Sequence, residues 1–345
     1  MNVVKKLDLE KEMYQEARLK GAGFEDLLEE LDPSLDYEGT LQKAGAFARQ
    51  LMAHGIKIHG PTADPIGKFF ASTSSSVLFP HYVETQVRAG MLAESLLPEI
   101  TATETYIDSH TYDGAWLSDT EPDRQLHRIA EGARIPTVRL TVSDHTVRLR
   151  KFGRLLHASY EALRLQRSNV VSVWLQRIGA QIAIDESNEA LSTLISGDGN
   201  SNALVATESE VSGTLDYDEM VRLWLAFPGG YRCRRIIVGD TLLRTVLNMD
   251  EFQNPAAGFS FQASGDLVSP VGAKLLRWGS TAVLPADYVL GVDERFALEQ
   301  VTEHGVITEV DRLIDRQIES TSVTKWSGFV KLDTSASQAL DVTHE

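Results

Sequence analysis

The chain has 345 residues, 43% hydrophobic and 24% charged, the balance of a folded globular protein long enough to bury a sizeable core over about two domains. Its single cysteine, Cys233, excludes an intrachain disulfide and any multi-cysteine zinc or iron–sulfur site, and fits folding in a reducing cytoplasm. A formal net charge of −16 excludes a protein that coats nucleic acid with its whole surface, because neutralising phosphates takes an excess of lysine and arginine.

The first twenty residues alternate charge with short apolar steps and predict neither a secretory signal nor an anchor. No run elsewhere approaches the ~18 consecutive apolar residues of a membrane-spanning helix, so a soluble protein is expected. Val3, Leu7, Tyr14 and Ala17, then Phe24, Leu27, Leu28 and Leu31, recur at helical spacing until Pro33 stops the pattern. Leu41, Ala44, Phe47, Ala48 and Leu51 predict a second helix running to the breaker His54-Gly55. These stripes are short, and Glu25, Asp26, Glu29 and Glu30 cluster beside them, so residues 1–60 read as a helical appendage that packs on something else. Pro61, Pro65 and the serine-rich run 72–76 predict an extended or flexible arm over 60–76. After Pro80, the residues Val83, Val87, Met91, Leu92 and Leu96 predict an amphipathic helix ending before Pro98, which completes a segment 61–100.

From residue 101 the texture turns to strands. Segments 101–116 and 136–152 are rich in Thr, Val and Tyr with two-residue alternation and flank a polar stretch, 118–134, so a long hairpin is expected, centred on 101–138. Such a ribbon has little to bury against in its own subunit and is expected to lie on a neighbour. The clearest element covers 168–195: Ser168 is a plausible N-cap, Val171, Trp174 or Leu175, Ile178, Ile182, Leu191 and Leu194 supply the apolar face, and Gly197 ends it. At 1.5 Å per residue this helix spans about 40 Å, which suits an elongated subunit. Beyond Gly213, helices are expected in 217–227 and 241–249, strands in 234–240, 273–279 and 281–293, and antiparallel strands through 296–332. The fold class is α+β.

Catalytic templates are missing from the sequence: it contains no G-x-S-x-G elbow, no H-E-x-x-H, no Walker-type phosphate loop and no G-x-G-x-x-G. His54 and His59 are five residues apart, a spacing that is weak evidence for a metal, and no metal site is assigned. Asp198-Gly199-Asn200-Ser201-Asn202 resembles a calcium loop, but Ala203 replaces the glycine of the sixth position and Ser209 the bidentate glutamate of the twelfth, so a turn is the better reading. Asp185, Glu186 and Glu189 read as a solvated or interfacial helix face. Between Arg139 and Arg177, eight basic residues (Arg139, Arg148, Arg150, Lys151, Arg154, Arg164, Arg167 and Arg177) stand against two acidic ones, Asp144 and Glu161. A basic strip in an acidic chain suits an acidic neighbour subunit or a packaged polyanion, and ordinary salt bridging within the fold is the alternative.

The order of these elements, with the segment 151–200, resembles the major capsid proteins of tailed bacteriophages with the Hong Kong 97 fold, a fold shared with encapsulin nanocompartments. The residues carrying the resemblance are Ser159-Tyr160-Glu161-Ala162-Leu163 before the long "spine" helix, the acidic pair Asp185-Glu186 within it and the turn Gly197-Asp198-Gly199 after it. Trp116 and Ala130-Glu131-Gly132 resemble the hairpin region of that family with looser spacing, and the likeness covers about 75–335. It implies a structural protein with no active site, cofactor or metal: a helical appendage (1–60), an N-arm and first helix (61–100), an extended hairpin loop (101–138), a peripheral domain with the spine helix (139–212), an axial domain (213–305) and return strands with a tail (306–345). It further implies copies tiling as pentamers and hexamers into an icosahedral shell, with Trp116, Glu131 and Arg134 as subunit-contact residues. The implied partners are other copies of the chain, packaged double-stranded DNA on the inner face, a portal protein and a scaffolding or cement protein, with no membrane; the location is the virion, assembled in the host cytoplasm. Some members crosslink through a hairpin lysine. Here no lysine occurs between Lys68 and Lys151, so a non-crosslinked shell is expected. Residues 1–70 read either as a scaffolding-like segment removed during maturation or as a retained arm. An encapsulin shell is the nearest alternative, and a cytosolic mixed α/β enzyme lacks a clustered acid, base or nucleophile.

Overall fold

The computed structural model describes residues 4–118, 128–129, 131–132, 139–142, 146–159, 161, 165–253, 271–279, 283–313 and 318–344. The chain divides into two compact units, Met1–Glu94 with Gly153–Ala183 and Val306–Thr324, and Ser95–Phe152 with Ile184–Gly305 and Lys325–Glu345. Among the described residues no helix is long and apolar enough to cross a membrane.

In the first unit the appendage forms helices Met13–Leu19 and Phe24–Leu31, with Phe24, Leu27 and Leu28 buried. The second predicted helix is two, Thr40–Lys43 and Ala46–Ala53. The chain opens at Ala44-Gly45 because the Glu25 carboxylate reaches this point and accepts the Phe47 amide at 3.2 Å, satisfying a first-turn donor of the new helix. Arg49 is wholly buried and fully engaged: it bonds Asp32 Oδ2 (3.2 Å), Glu29 Oε2 (3.0 Å), Ser34 Oγ (2.7 Å) and the Ala44 carbonyl (2.6 Å), and its guanidinium lies 4.9 Å from the Tyr37 ring. A buried cation is tolerable only with such complete pairing.

The segment predicted as an extended arm is instead folded. Ile66–Ala71 is a 3-10 helix with Ile66 and Phe69 buried, and Thr73–Ser76 is a helical turn. The serine run reads as flexible by composition, but Ser72 and Ser75 stand three apart and cap each other, each hydroxyl accepting the other's amide at 3.1 Å. Ser74 Oγ also accepts the Leu9 amide, and Tyr14 donates to the Val77 carbonyl, so the appendage packs on this segment.

The helix Leu78–Glu94 crosses the front half of the spine helix, Ser168–Ser196, where neither backbone carries a side chain. A Cβ on Gly90 would collide with the Gln176 carbonyl, and one on Gly179 with the Val87 carbonyl. The expected N-cap role of Ser168 is not observed: Val170 and Val171 donate to the Arg167 carbonyl, while the Ser168 hydroxyl donates to the carbonyls of Lys57 and Ile58. Between the two candidates for the apolar face, Leu175 is buried at 1% exposure and Trp174 is 68% exposed.

In the second unit the back half of the spine helix is buried nearly all round, through Glu186, Ser187, Ala190, Leu191 and Leu194. Glu186 is therefore not on a solvated face. It is 1% exposed and holds Lys325 Nζ at 2.9 Å and Ser327 Oγ at 2.7 Å, whereas Asp185 is exposed. The helix ends at Gly197 (φ +81°), where a side chain would strike Asn202; Asn202 Oδ1 accepts the Asp198 amide, so the 198–202 segment is the expected turn. Lys331, buried, donates from Nζ to the Leu194 carbonyl at 2.9 Å, an orphan acceptor of the helix's last turn.

A five-stranded sheet in this unit runs in the order Ala206–Glu208, Ser337–Asp341, Tyr288–Val292, Arg235–Val238, Lys274–Arg277. The helices Tyr217–Leu225 and Asp240–Leu247 supply Met220, Leu223, Leu242, Leu243 and Val246 to the core that also takes Ile236, Val238 and Val289 from the sheet. A four-stranded sheet has the order Thr101–Tyr106, Leu298–Leu313, Ile318–Lys331, Arg150–Ser159. Thr101–Tyr106 pairs in parallel with Leu298 onward, so the start of the predicted hairpin arm is a sheet strand and not part of the hairpin.

Two outcomes follow from these contacts. Gly90→Ala and Gly179→Ala each force a methyl against backbone and are expected to destabilise by at least about 1–3 kcal/mol, read as a lowered urea midpoint. Burial pushes the Lys331 amine down to about 8 from its ordinary 10.5, against the opposing pull of Asp198 and Asp333. Between those values the unfolded chain holds the proton that the folded chain has released, so stability rises with pH there. Relative to Lys331→Met, the native chain should gain up to about 3 kcal/mol between pH 8 and 10.5; equal slopes for the two proteins would contradict the buried charge.

Candidate assembly site

The hairpin itself is a narrow ribbon. Ala115–Ser118 pairs antiparallel with Arg139–Val142, and Thr111–Tyr112 with Val147–Arg148. Each pairing is a two-stranded sheet, which by itself is marginally stable in water.

Its root is built into the second unit. Leu149 donates to the His110 carbonyl (3.0 Å) and Ile107 to the Thr302 carbonyl (3.0 Å), continuing the ladder of the four-stranded sheet into the ribbon. Val147, Leu149, Val301 and Val330 form a small buried cluster there, with Ile107, Tyr112 and Trp326 around it. The polar groups are paired. His110 Nδ1 lies 2.7 Å from Glu303 Oε2, and Glu299 Oε1 accepts both the Tyr112 hydroxyl (3.1 Å) and the Thr105 hydroxyl (2.5 Å). Burial, then the Glu299 carboxylate, raise the Tyr112 pKa above its ordinary value, which keeps that phenol a donor. Trp326 carries the His110 ring at 4.9 Å and Lys151 Nζ at 5.2 Å from its own ring. The root can hold a ribbon in a fixed direction.

Of the expected contact residues, Trp116 sits in the paired part of the ribbon opposite Thr141, and Glu131 is exposed beside Gly132 (φ +79°). Arg134, with most of 119–138, lies outside the described residues. The residues that sequence reading missed are His110, Glu299, Glu303 and Trp326, which meet across about 190 positions and carry no local signal. In the basic strip, Arg148, Arg150 and Lys151 of the second unit and Arg154, Arg167 and Arg177 of the first are exposed. Part of its charge is used within the chain, since Arg150 pairs with Glu189 at 2.8 Å and Arg167 donates to the carbonyls of Pro61 and Ala63. The spine helix also leaves Val170, Val173 and Trp174 exposed. Among the described residues no cluster of His, Cys, Asp and Glu is placed to hold a metal ion.

A family model described as phage capsid protein matches residues 143–335. No curated protein matches the chain. Among solved structures, the chain is similar to the capsid of an empty GTA particle (TM-score 0.52, 14% identity, 73% of this chain and 90% of that one). It is similar also to the capsid of the native GTA particle (0.51, 14%, 74% and 91%) and to Microbacterium phage Oxtober96 (0.50, 10%, 73% and 91%). At these identities the likeness is one of fold.

Trp326→Ala should loosen the ribbon's root by about 1–2 kcal/mol through loss of ring and cation contacts. The expected readout is several-fold faster proteolytic cleavage within 107–150 with an unchanged far-UV circular dichroism spectrum.

Proposed function

The chain belongs to the phage capsid protein family, and on that premise we propose that its copies tile as pentamers and hexamers into a non-crosslinked icosahedral shell around double-stranded DNA. It is a structural protein of the Hong Kong 97 fold type and not an enzyme. The observation that carries the finer reading is the ribbon: its root is fixed by paired and buried groups of its own subunit, while among the described residues its strands pair in two-stranded sheets. Such a ribbon gains stability when a neighbouring copy covers it. In this reading Trp116, Glu131 and Arg134 are contact residues on it, and the five-stranded sheet with its helices belongs to the axial domain. The axial domain then takes in the strands Ala206–Glu208 and Ser337–Asp341 besides residues 213–305, which the element order assigns to it.

The absence of lysine between Lys68 and Lys151 leaves the ribbon no amine for a covalent weld, which favours noncovalent contacts or a cement protein. DNA on the inner face, a portal protein, scaffolding or cement proteins and assembly in the host cytoplasm belong to the same proposal. An encapsulin shell is the weaker reading, because the matching family model is one of phage capsid proteins.

Electron microscopy of the purified full chain under assembly conditions is expected to show closed particles, and their denaturing gels a single subunit band. Deleting 116–128 should abolish or misdirect particles while leaving the subunit folded by circular dichroism; normal particles from that deletion would refute the bridging role of the ribbon.

A further inference from the structure

The N-terminal helices meet the helix Leu78–Glu94 at one half-buried histidine. His81 Nε2 lies 3.2 Å from Glu25 Oε2, and the other oxygen of the same carboxylate accepts the Phe47 amide. One carboxylate therefore joins three elements: its own helix, Phe24–Leu31, the start of Ala46–Ala53, and the first turns of Leu78–Glu94. His81 Nδ1 is 3.6 Å from Glu84 Oε2 on its own helix. The imidazole is boxed by rings, 4.7 Å from Phe47 edge-on and 5.6 Å from Phe24, and Phe24 stacks on Tyr14 at 4.2 Å. The Tyr14 hydroxyl, from Met13–Leu19, accepts the His81 amide at 3.1 Å.

The titratable groups facing the ring are thus Glu25 from Phe24–Leu31, Glu84 from its own helix and Tyr14 from Met13–Leu19; Ala46–Ala53 presents the Phe47 ring. Glu84 also holds Arg88 Nη2 at 2.9 Å through its other oxygen, so Glu25 is the carboxylate that most favours an imidazolium. We propose that His81 is a protonation-dependent clip that holds the N-terminal helices to the helix Leu78–Glu94 and slackens as the proton is lost.

Burial alone pushes the His81 pKa down, but Glu25 and Glu84 outweigh it and the net shift is upward from 6.5. A raised folded-state value gives stability that is fully present below 6.5 and lost as pH rises through the folded-state pKa. Alkaline conditions therefore loosen the appendage at this contact.

The test is hydrogen exchange of the full chain, corrected for intrinsic rates, across Phe24–Leu31 and Ala46–Ala53 between pH 6 and pH 9. Opening is expected to become about tenfold more frequent over that range in the native chain. In His81→Gln it should be fast already at pH 6, with no step. A flat native profile, or a step that survives in the variant, overturns the clip; a purely structural role would shift the level but leave the step. Should His81→Gln fail to fold, Glu25→Gln must move the step to lower pH. A ring-carbon NMR titration of His81 in the native chain with its midpoint below 6.5 overturns the proposal without any variant.

Discussion

A helix of 29 residues is stable only if both of its halves find something to bury against, and the two halves here meet that demand differently. The front half brings its backbone against another backbone, which is possible only because Gly90 and Gly179 face the crossing. That contact is narrow and leaves Val170, Val173 and Trp174 exposed on the same helix. The back half is enclosed by side chains, and the enclosure extends to Glu186, which pairs with Lys325 and accepts the Ser327 hydroxyl. Removing one member of such a buried pair costs about 3–5 kcal/mol, so the second unit's core is committed to this register of strand and helix. Lys331 then fixes the helix end by taking up the Leu194 carbonyl.

With the helix held, the strand Ile318–Lys331 is positioned as well, because Lys325, Ser327 and Lys331 point to the helix and Trp326, between them in the alternation, points to the hairpin root. One strand thus couples the spine to the ribbon. The direction in which the ribbon leaves the subunit is set by side chains of that strand and of its sheet partner, Leu298–Leu313, through Glu299 and Glu303. In the shell proposed here this is the relevant rigidity, because a ribbon that is to meet a neighbouring copy does so reproducibly only if its root does not swivel.

Much of this was legible in the sequence where the signal is local and repeated. The spine helix announces itself through a long run of apolar residues at helical spacing and a glycine stop, and the helices of Tyr217–Leu225 and Asp240–Leu247 through the same rule. The sequence reading failed where a short polar pattern has two meanings. The Ser72–Ser76 run looks like a flexible linker by composition and is a capping box by spacing; Glu186 looks like a surface acid and finds its lysine 139 positions later. The ribbon root is the extreme case, since His110, Glu299, Glu303 and Trp326 have no periodicity relative to one another. Trp116 and Glu131 stand out by likeness of motif, and the described structure gives Trp116 a paired strand position and Glu131 an exposed one.

The charge of the chain sets a further condition on any assembly. Copies of a protein with net charge −16 repel one another at long range, and at physiological ionic strength that repulsion is screened beyond about 8 Å. Close approach then depends on local complementarity. Each unit has its own exposed cations for that purpose: Arg148 and Lys151 by the ribbon root in the second, Arg154 and Arg177 in the first. Exposed cations on an acidic chain give each copy charges of both signs, so like charges can be kept apart only in particular orientations. The apolar residues left uncovered on the spine helix supply attraction that is indifferent to orientation, which leaves the choice of geometry to the charges and to the fixed root of the ribbon.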